Sequence, residues 1–123
     1  MTAMRSPLRL FTLILLVVAV AGFATAADVT GILIDKHCLA SVMTGGQAKA
    51  QAHTRECALM PDCMAAGYAV FTPAGKVFSL DAAGNKLAVK SLQASKKKNN
   101  LTVQVSGDVS GDNIKVASLK LLD

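Results

Sequence analysis

The chain has 123 residues, of which 52% are hydrophobic and 17% charged, and its formal net charge is +5. This apolar content excludes intrinsic disorder, which goes with low hydrophobicity and high charge. Nine glycines and three prolines exclude collagen-like and proline-rich classes, and the length suits one ordinary domain.

The first segment differs from the rest. Residues 1–9 carry Arg5 and Arg9 and no acid, residues 10–21 are a nearly unbroken apolar run, and Ala24-Thr25-Ala26 follows. A basic start, a short apolar core and a small-residue exit predict a secretory signal peptide over 1–26, cleaved after Ala26. The remainder, 27–123, is expected to be a single small exported domain, periplasmic or secreted. The apolar run falls short of the roughly 20 residues of a spanning helix, so no membrane span is expected after cleavage. With no Trp, one Tyr and four Phe, the chain has few rings to stack on bases. Together with export, this argues against a nucleic-acid partner.

Residues 29–34 are short and rich in β-branched side chains, which predicts a first strand, with Asp35-Lys36-His37-Cys38 following at its C-terminal end. Gly45-Gly46 breaks the chain, and residues 47–60, free of Gly and Pro, suit one helix. Pro61 ends that helix or opens a second short one, and Gly67 is a natural stop. Residues 68–72 and 76–80 flank Pro73-Ala74-Gly75 and predict a hairpin. A turn is expected over 81–84. A helix is expected over 85–95, with Ala88, Val89 and Leu92 on one face and Lys96, Lys97 and Lys98 at its C-terminal dipole end. Leu101, Val103 and Val105 alternate with polar residues, the clearest half-buried strand in the chain. The repeat Val105-Ser106-Gly107-Asp108, Val109-Ser110-Gly111-Asp112 reads as a hairpin loop before a last strand over 113–118.

The order of elements predicts an α+β fold. We expect a small five-stranded OB-like β-barrel, or a curled antiparallel sheet. A helical, Cys-bearing insertion follows the first strand, and a helix separates the third from the fourth. Val103, Val105, Ile114, Val116, Phe71, Phe78 and Leu92 are expected to share its core.

Both histidines and all three cysteines fall between Asp35 and Cys63, with Glu56 and Asp62 among them. Three chemistries compete for this cluster. Two cysteines can form a disulfide, the default in a small exported domain. Closing a loop of about 20 residues stabilises by roughly 3 kcal/mol in the chain-entropy picture, and any of the three pairs can form. Alternatively, Cys38, His53, Cys57 and Cys63 make a Cys3His set for a soft or borderline ion, Cu(I) or Zn. His53 and Cys57, at i and i+4, share one face if the segment is helical. No Cys-x2-Cys pair marks a standard finger. Third, Cys38 can serve as a nucleophile with His37 or His53 as its base. His37 beside it is badly placed as a base, because neighbours on an extended segment point opposite ways. Met43, Met60 and Met64 lie near the cluster and fit core filling better than copper ligation.

The pattern Ile34-Asp35-Lys36-x-Cys38, then His53-x3-Cys57-Ala58-Leu59-Met60-Pro61-x-Cys63, then Gly67-Tyr68, resembles a group of small exported bacterial proteins that carry no assigned activity. The closing Val103-x-Val105-x-Gly107 with Gly111-Asp112-x-Ile114-x-Val116 is similar to the final hairpin of that group. The resemblance implies a secreted, barrel-like domain with a Cys/His cluster and implies no reaction. The expected function is a non-enzymatic binding or structural module whose cluster is disulfide-bonded or holds a soft metal, the partner being a metal ion or a protein. The alternatives are a periplasmic thiol redox or metal-handling protein and a small Cys-dependent enzyme.

Overall fold

A computed structural model describes residues 25–122. The expected leader lies outside them, apart from Thr25 and Ala26, which begin the first strand. Five strands close into a barrel: β1 (Thr25–Asp35), β2 (Tyr68–Phe71), β3 (Val77–Leu80), β4 (Thr102–Ser110) and β5 (Asn113–Leu121). Around the barrel the order is β1-β2-β3-β5-β4, with β4 returning to β1. The pairing of β3 with β5 is parallel and the other four are antiparallel. Helices α1 (Leu39–Ala52), α2 (Arg55–Ala58) and α3 (Pro61–Ala66) form the insertion between β1 and β2, and α4 (Ala82–Ala94) separates β3 from β4. This is the OB-like barrel with a helical insertion that the element order predicts.

Alternation builds the barrel interior. Leu33 from β1, Tyr68 and Val70 from β2, Phe78 and Leu80 from β3, Val103 and Val105 from β4, and Ile114 and Val116 from β5 form one buried cluster. Ala88 and Leu92 of α4 close it. From Ala26 to Thr30 β1 alternates between exposed and half-buried, whereas its last five residues are all buried. The change marks where a second layer covers the outer face. There Ile32, Ile34 and Phe71 pack against Val42 and Ala50 of α1. Phe71 therefore sits outside the barrel under the insertion and not in the common core with Val103. It follows Val70 on β2, so its side chain takes the opposite face.

The helices depart from the sequence expectation at three places, each with a local cause. Gly46 has φ 73° inside α1, a left-handed conformation that favours glycine, and α1 continues on both sides of this kink. The helix expected over 47–60 stops at Ala52. His53 and Thr54 are extended, and the Thr54 side chain accepts from Cys57 N at 3.1 Å to start α2 afresh. The turn expected over 81–84 is the first turn of α4. Asp81 caps it by accepting from Gly84 N at 3.0 Å, and the same oxygen accepts from Val116 N at 3.2 Å on β5. Asp and Gly signal both turns and caps, which is why local composition did not separate them.

The tandem Val-Ser-Gly-Asp repeat is mostly strand. Its first copy lies in β4, with a register shift at Ser106/Gly107, and only Gly111 and Asp112 stand between β4 and β5. The α4 carboxyl end meets Arg55 rather than the lysine run: Arg55 Nε donates to Leu92 O at 2.6 Å and an Nη to Gln93 O at 3.3 Å. This cation fixes α2, which carries Cys57, against α4.

Candidate metal centre

The centre is built around the end of β1. Asp35 is two residues beyond Leu33, so it faces the barrel interior, where Leu33 already packs. It is fully buried. A buried carboxylate needs partners, and Asp35 has them. His53 Nε2 lies 2.7 Å from Oδ1, and Cys38 N donates to Oδ2 at 2.9 Å. The chain turns directly after it, with Lys36 N donating to Gly67 O at 2.8 Å and Cys38 N also to Asp35 O at 3.2 Å. Gly67, at φ 81°, ends α3 where the sequence predicts a stop. This turn makes Cys38 the residue that opens α1.

His53 and Cys57 approach from the far end of the insertion. They do not share a helix face; His53 ends α1, and Cys57 sits on α2 behind the Thr54 cap. The extended step at His53 and Thr54 sends the chain back toward β1. Tyr68 OH donates to Ala58 O at 2.7 Å, which pins α2 to β2. The result is one group in which a ligand atom each from Cys38, His53 and Cys57 all lie within 4.8 Å of one another. Cys38 and Cys57 are partly accessible, whereas the His53 side chain is only 7% exposed. Cys63, buried on α3, belongs to a second group of the same size, with Asp35 and Cys38. Cys38 is common to both.

Each of the four sequence-derived candidates is therefore in the centre, divided between two groups. His37 is exposed on the turn and Glu56 and Asp62 are exposed on their helices. Met43 and Met60 are 54% and 52% exposed, so neither fills the core as the sequence reading suggests. The expected disulfide is not formed: Cys38, Cys57 and Cys63 are all free thiols. Asp35 is the residue of this cluster that spacing rules overlooked. The signal was present in its parity with Leu33, which sends a carboxylate inward at the end of an apolar strand.

The electrostatics follow from burial around one anion. Burial alone would raise the Asp35 pKa, but hydrogen bonds from His53, Cys38 N and Cys63 outweigh it and hold the carboxyl below its usual value of 3.8. The thiols move the other way. Burial, then the Asp35 charge and Cys57, push Cys38 up to about 11. Burial, then the hydrogen bond to Asp35 and its charge, push Cys63 up to about 12. Burial and the same carboxylate raise Tyr68 to about 12. The centre thus holds negative charge and disfavours more of it until a cation arrives.

One consequence is measurable without metal. The folded chain holds the Cys63 proton more tightly than the unfolded chain, whose thiol sits near 9.0. That contribution to stability is complete below pH 9 and is lost as pH rises toward 12. The urea midpoint of the metal-free protein should fall across this window, and a flat midpoint from pH 9 upward contradicts the burial of Cys63.

Comparison of the chain with protein-family models, with curated proteins and with solved structures finds no match in any of the three. The functional reading therefore rests on the geometry of the centre.

Proposed function

We propose that this protein is a metal-binding module in which Cys38, His53 and Cys57 hold a soft or borderline ion, Zn(II) or Cu(I). The observation that carries this reading is the convergence of two sulfurs and one imidazole within 4.8 Å, with the imidazole held by a buried carboxylate at 2.7 Å. Metal-binding histidines commonly donate their second ring N–H to a carboxylate, which sets the tautomer and frees the other nitrogen for the ion. With Nε2 on Asp35, Nδ1 is the atom left to coordinate.

The chemistry of the donors fits. Two thiolates and a neutral imidazole balance one divalent charge, and thiolate with imidazole suits zinc or Cu(I) over magnesium or calcium. Three protein ligands leave one of four tetrahedral positions free, and the two cysteines are partly accessible. An open position on an accessible site supports reversible binding or handling of the ion over a closed structural role. A Cys38 thiol raised to about 11 by burial and the Asp35 charge is a poor nucleophile at neutral pH, which weighs against the Cys-dependent enzyme.

Equilibrium dialysis of the reduced chain against Zn(II) tests the proposal. Tight uptake is expected, and Cys57→Ser should weaken it by at least tenfold while the barrel stays folded, since Cys57 is partly exposed and its backbone is held by Thr54. Absence of zinc or Cu(I) uptake by the reduced chain removes the metal reading and leaves the thiol module.

A further inference from the structure

The metal site proposed above uses only one of the two ligand groups at the end of β1. The second consists of Asp35, Cys38 and Cys63, again with one ligand atom each within 4.8 Å of the others. Two donors on one ion with bonds of ~2.3 Å stand no more than ~4.6 Å apart even when opposed, so this spacing is close to what an ion requires. The two groups meet at Cys38. We propose that the centre takes two divalent ions, one in each group, joined through a bridging Cys38 thiolate. This rests on the single-ion reading above and extends it.

Several features support the bridge. A thiolate sulfur has more than one lone pair, so Cys38 can serve both ions without moving. Asp35 has about four acceptor positions as a carboxylate. His53 Nε2 and Cys38 N take two of them, which leaves capacity for a metal. The Cys63 sulfur lies within 4.8 Å of an Asp35 oxygen. On binding, the Cys63 thiol proton goes to solvent and the ion sits between that sulfur and that carboxylate.

Charge favours two ions over one with all donors ionised. Three thiolates and one carboxylate carry four negative charges, which two divalent ions neutralise and a single ion does not. At the buried residues Asp35 and Cys63 an unbalanced charge is costly. The second ion would sit deeper than the first, since two of its three ligands are buried, whereas Cys38 and Cys57 of the first group are partly accessible. Filling is therefore expected in order, the accessible group first.

Native mass spectrometry of the reduced chain titrated with Zn(II) alone reads the stoichiometry. Two zinc ions per chain are expected, with a one-zinc species preceding the two-zinc species, and one zinc per chain for Cys63→Ser. A limit of one zinc for the unmodified chain overturns the second site while the metal-binding reading stands. A limit of zero overturns both. Two ions retained in Cys63→Ser also overturn the second site. The bridge has its own readout that needs no variant. Cadmium-113 in place of zinc should give two resonances that split one another through the shared sulfur, and two unsplit resonances remove Cys38 as the bridge.

Discussion

Replacing Asp35 with Ala is expected to destabilise the metal-free protein by about 3 kcal/mol or more and to weaken zinc binding by roughly 10- to 100-fold. Asp35 is fully buried and accepts from His53 Nε2 and from Cys38 N. Truncation leaves His53 Nε2 with no acceptor and Cys38 N with only its longer bond to Asp35 O at 3.2 Å, at about 1–3 kcal/mol for each bond lost. The direction of the Asp35 pKa, below its usual value, shows that its hydrogen bonds outweigh the cost of burying it. The affinity loss is that of a ligating histidine deprived of its carboxylate. Asp35→Asn keeps an acceptor oxygen and should lose less stability. Urea denaturation at constant m separates the variants. The pH dependence has a defined sign. With the folded pKa lowered, the Asp35 contribution is complete above the unfolded value of about 3.8 and is lost as pH falls through the folded value. The gap between parent and Asp35→Ala should therefore narrow in acid. A variant that unfolds at the parent's urea midpoint near neutral pH would show that Asp35 does not hold the centre together.

Val105→Asp is expected to cost on the order of 3 kcal/mol or more, a large fraction of the roughly 5–15 kcal/mol by which an ordinary domain is stable. Val105 is fully buried in the barrel, facing Val29 on β1 and Leu119 on β5. A carboxylate there has no partner. The next residue toward the N-terminus is the control. Gln104 is exposed and lies opposite Lys120, so Gln104→Asp should change stability by no more than about 0.5 kcal/mol. Thermal melts of the two variants report the register of β4 directly, because a shift of one residue exchanges their effects.

The parts of the fold that follow a two-residue period were legible in the sequence. Leu101, Val103, Val105, Ile114 and Val116 are buried where alternation puts them. Element order alone carried the topology, with one helix between β3 and β4 and the Cys-bearing segment between β1 and β2. Phe71 was misplaced because β2 is buried on both faces, and four consecutive buried residues carry no period. Only the position of α1 decides which of them lie inside the barrel.

The centre was legible as a set of residues and not as a geometry. Confinement of the cysteines and histidines to one insertion pointed to Cys38, His53, Cys57 and Cys63. The helical spacing of His53 and Cys57 reached a correct neighbourhood by a wrong route, since Thr54 breaks the helix and a turn brings the two together. The division into two groups around Cys38, and the choice of Asp35 as the buried partner, depend on where α3 packs beneath β1. Cys63 meets Asp35 although the two are 28 residues apart in the chain, a separation for which no local pattern exists.

X-ray absorption of the zinc-loaded, reduced protein reads the donor atoms around the ion. A sulfur shell at ~2.3 Å together with a nitrogen or oxygen shell at ~2.0–2.1 Å is expected, with loss of sulfur from the first shell in Cys38→Ser. A zinc environment of nitrogen and oxygen alone, unchanged by Cys38→Ser, would place the ion elsewhere on the protein and contradict the assignment.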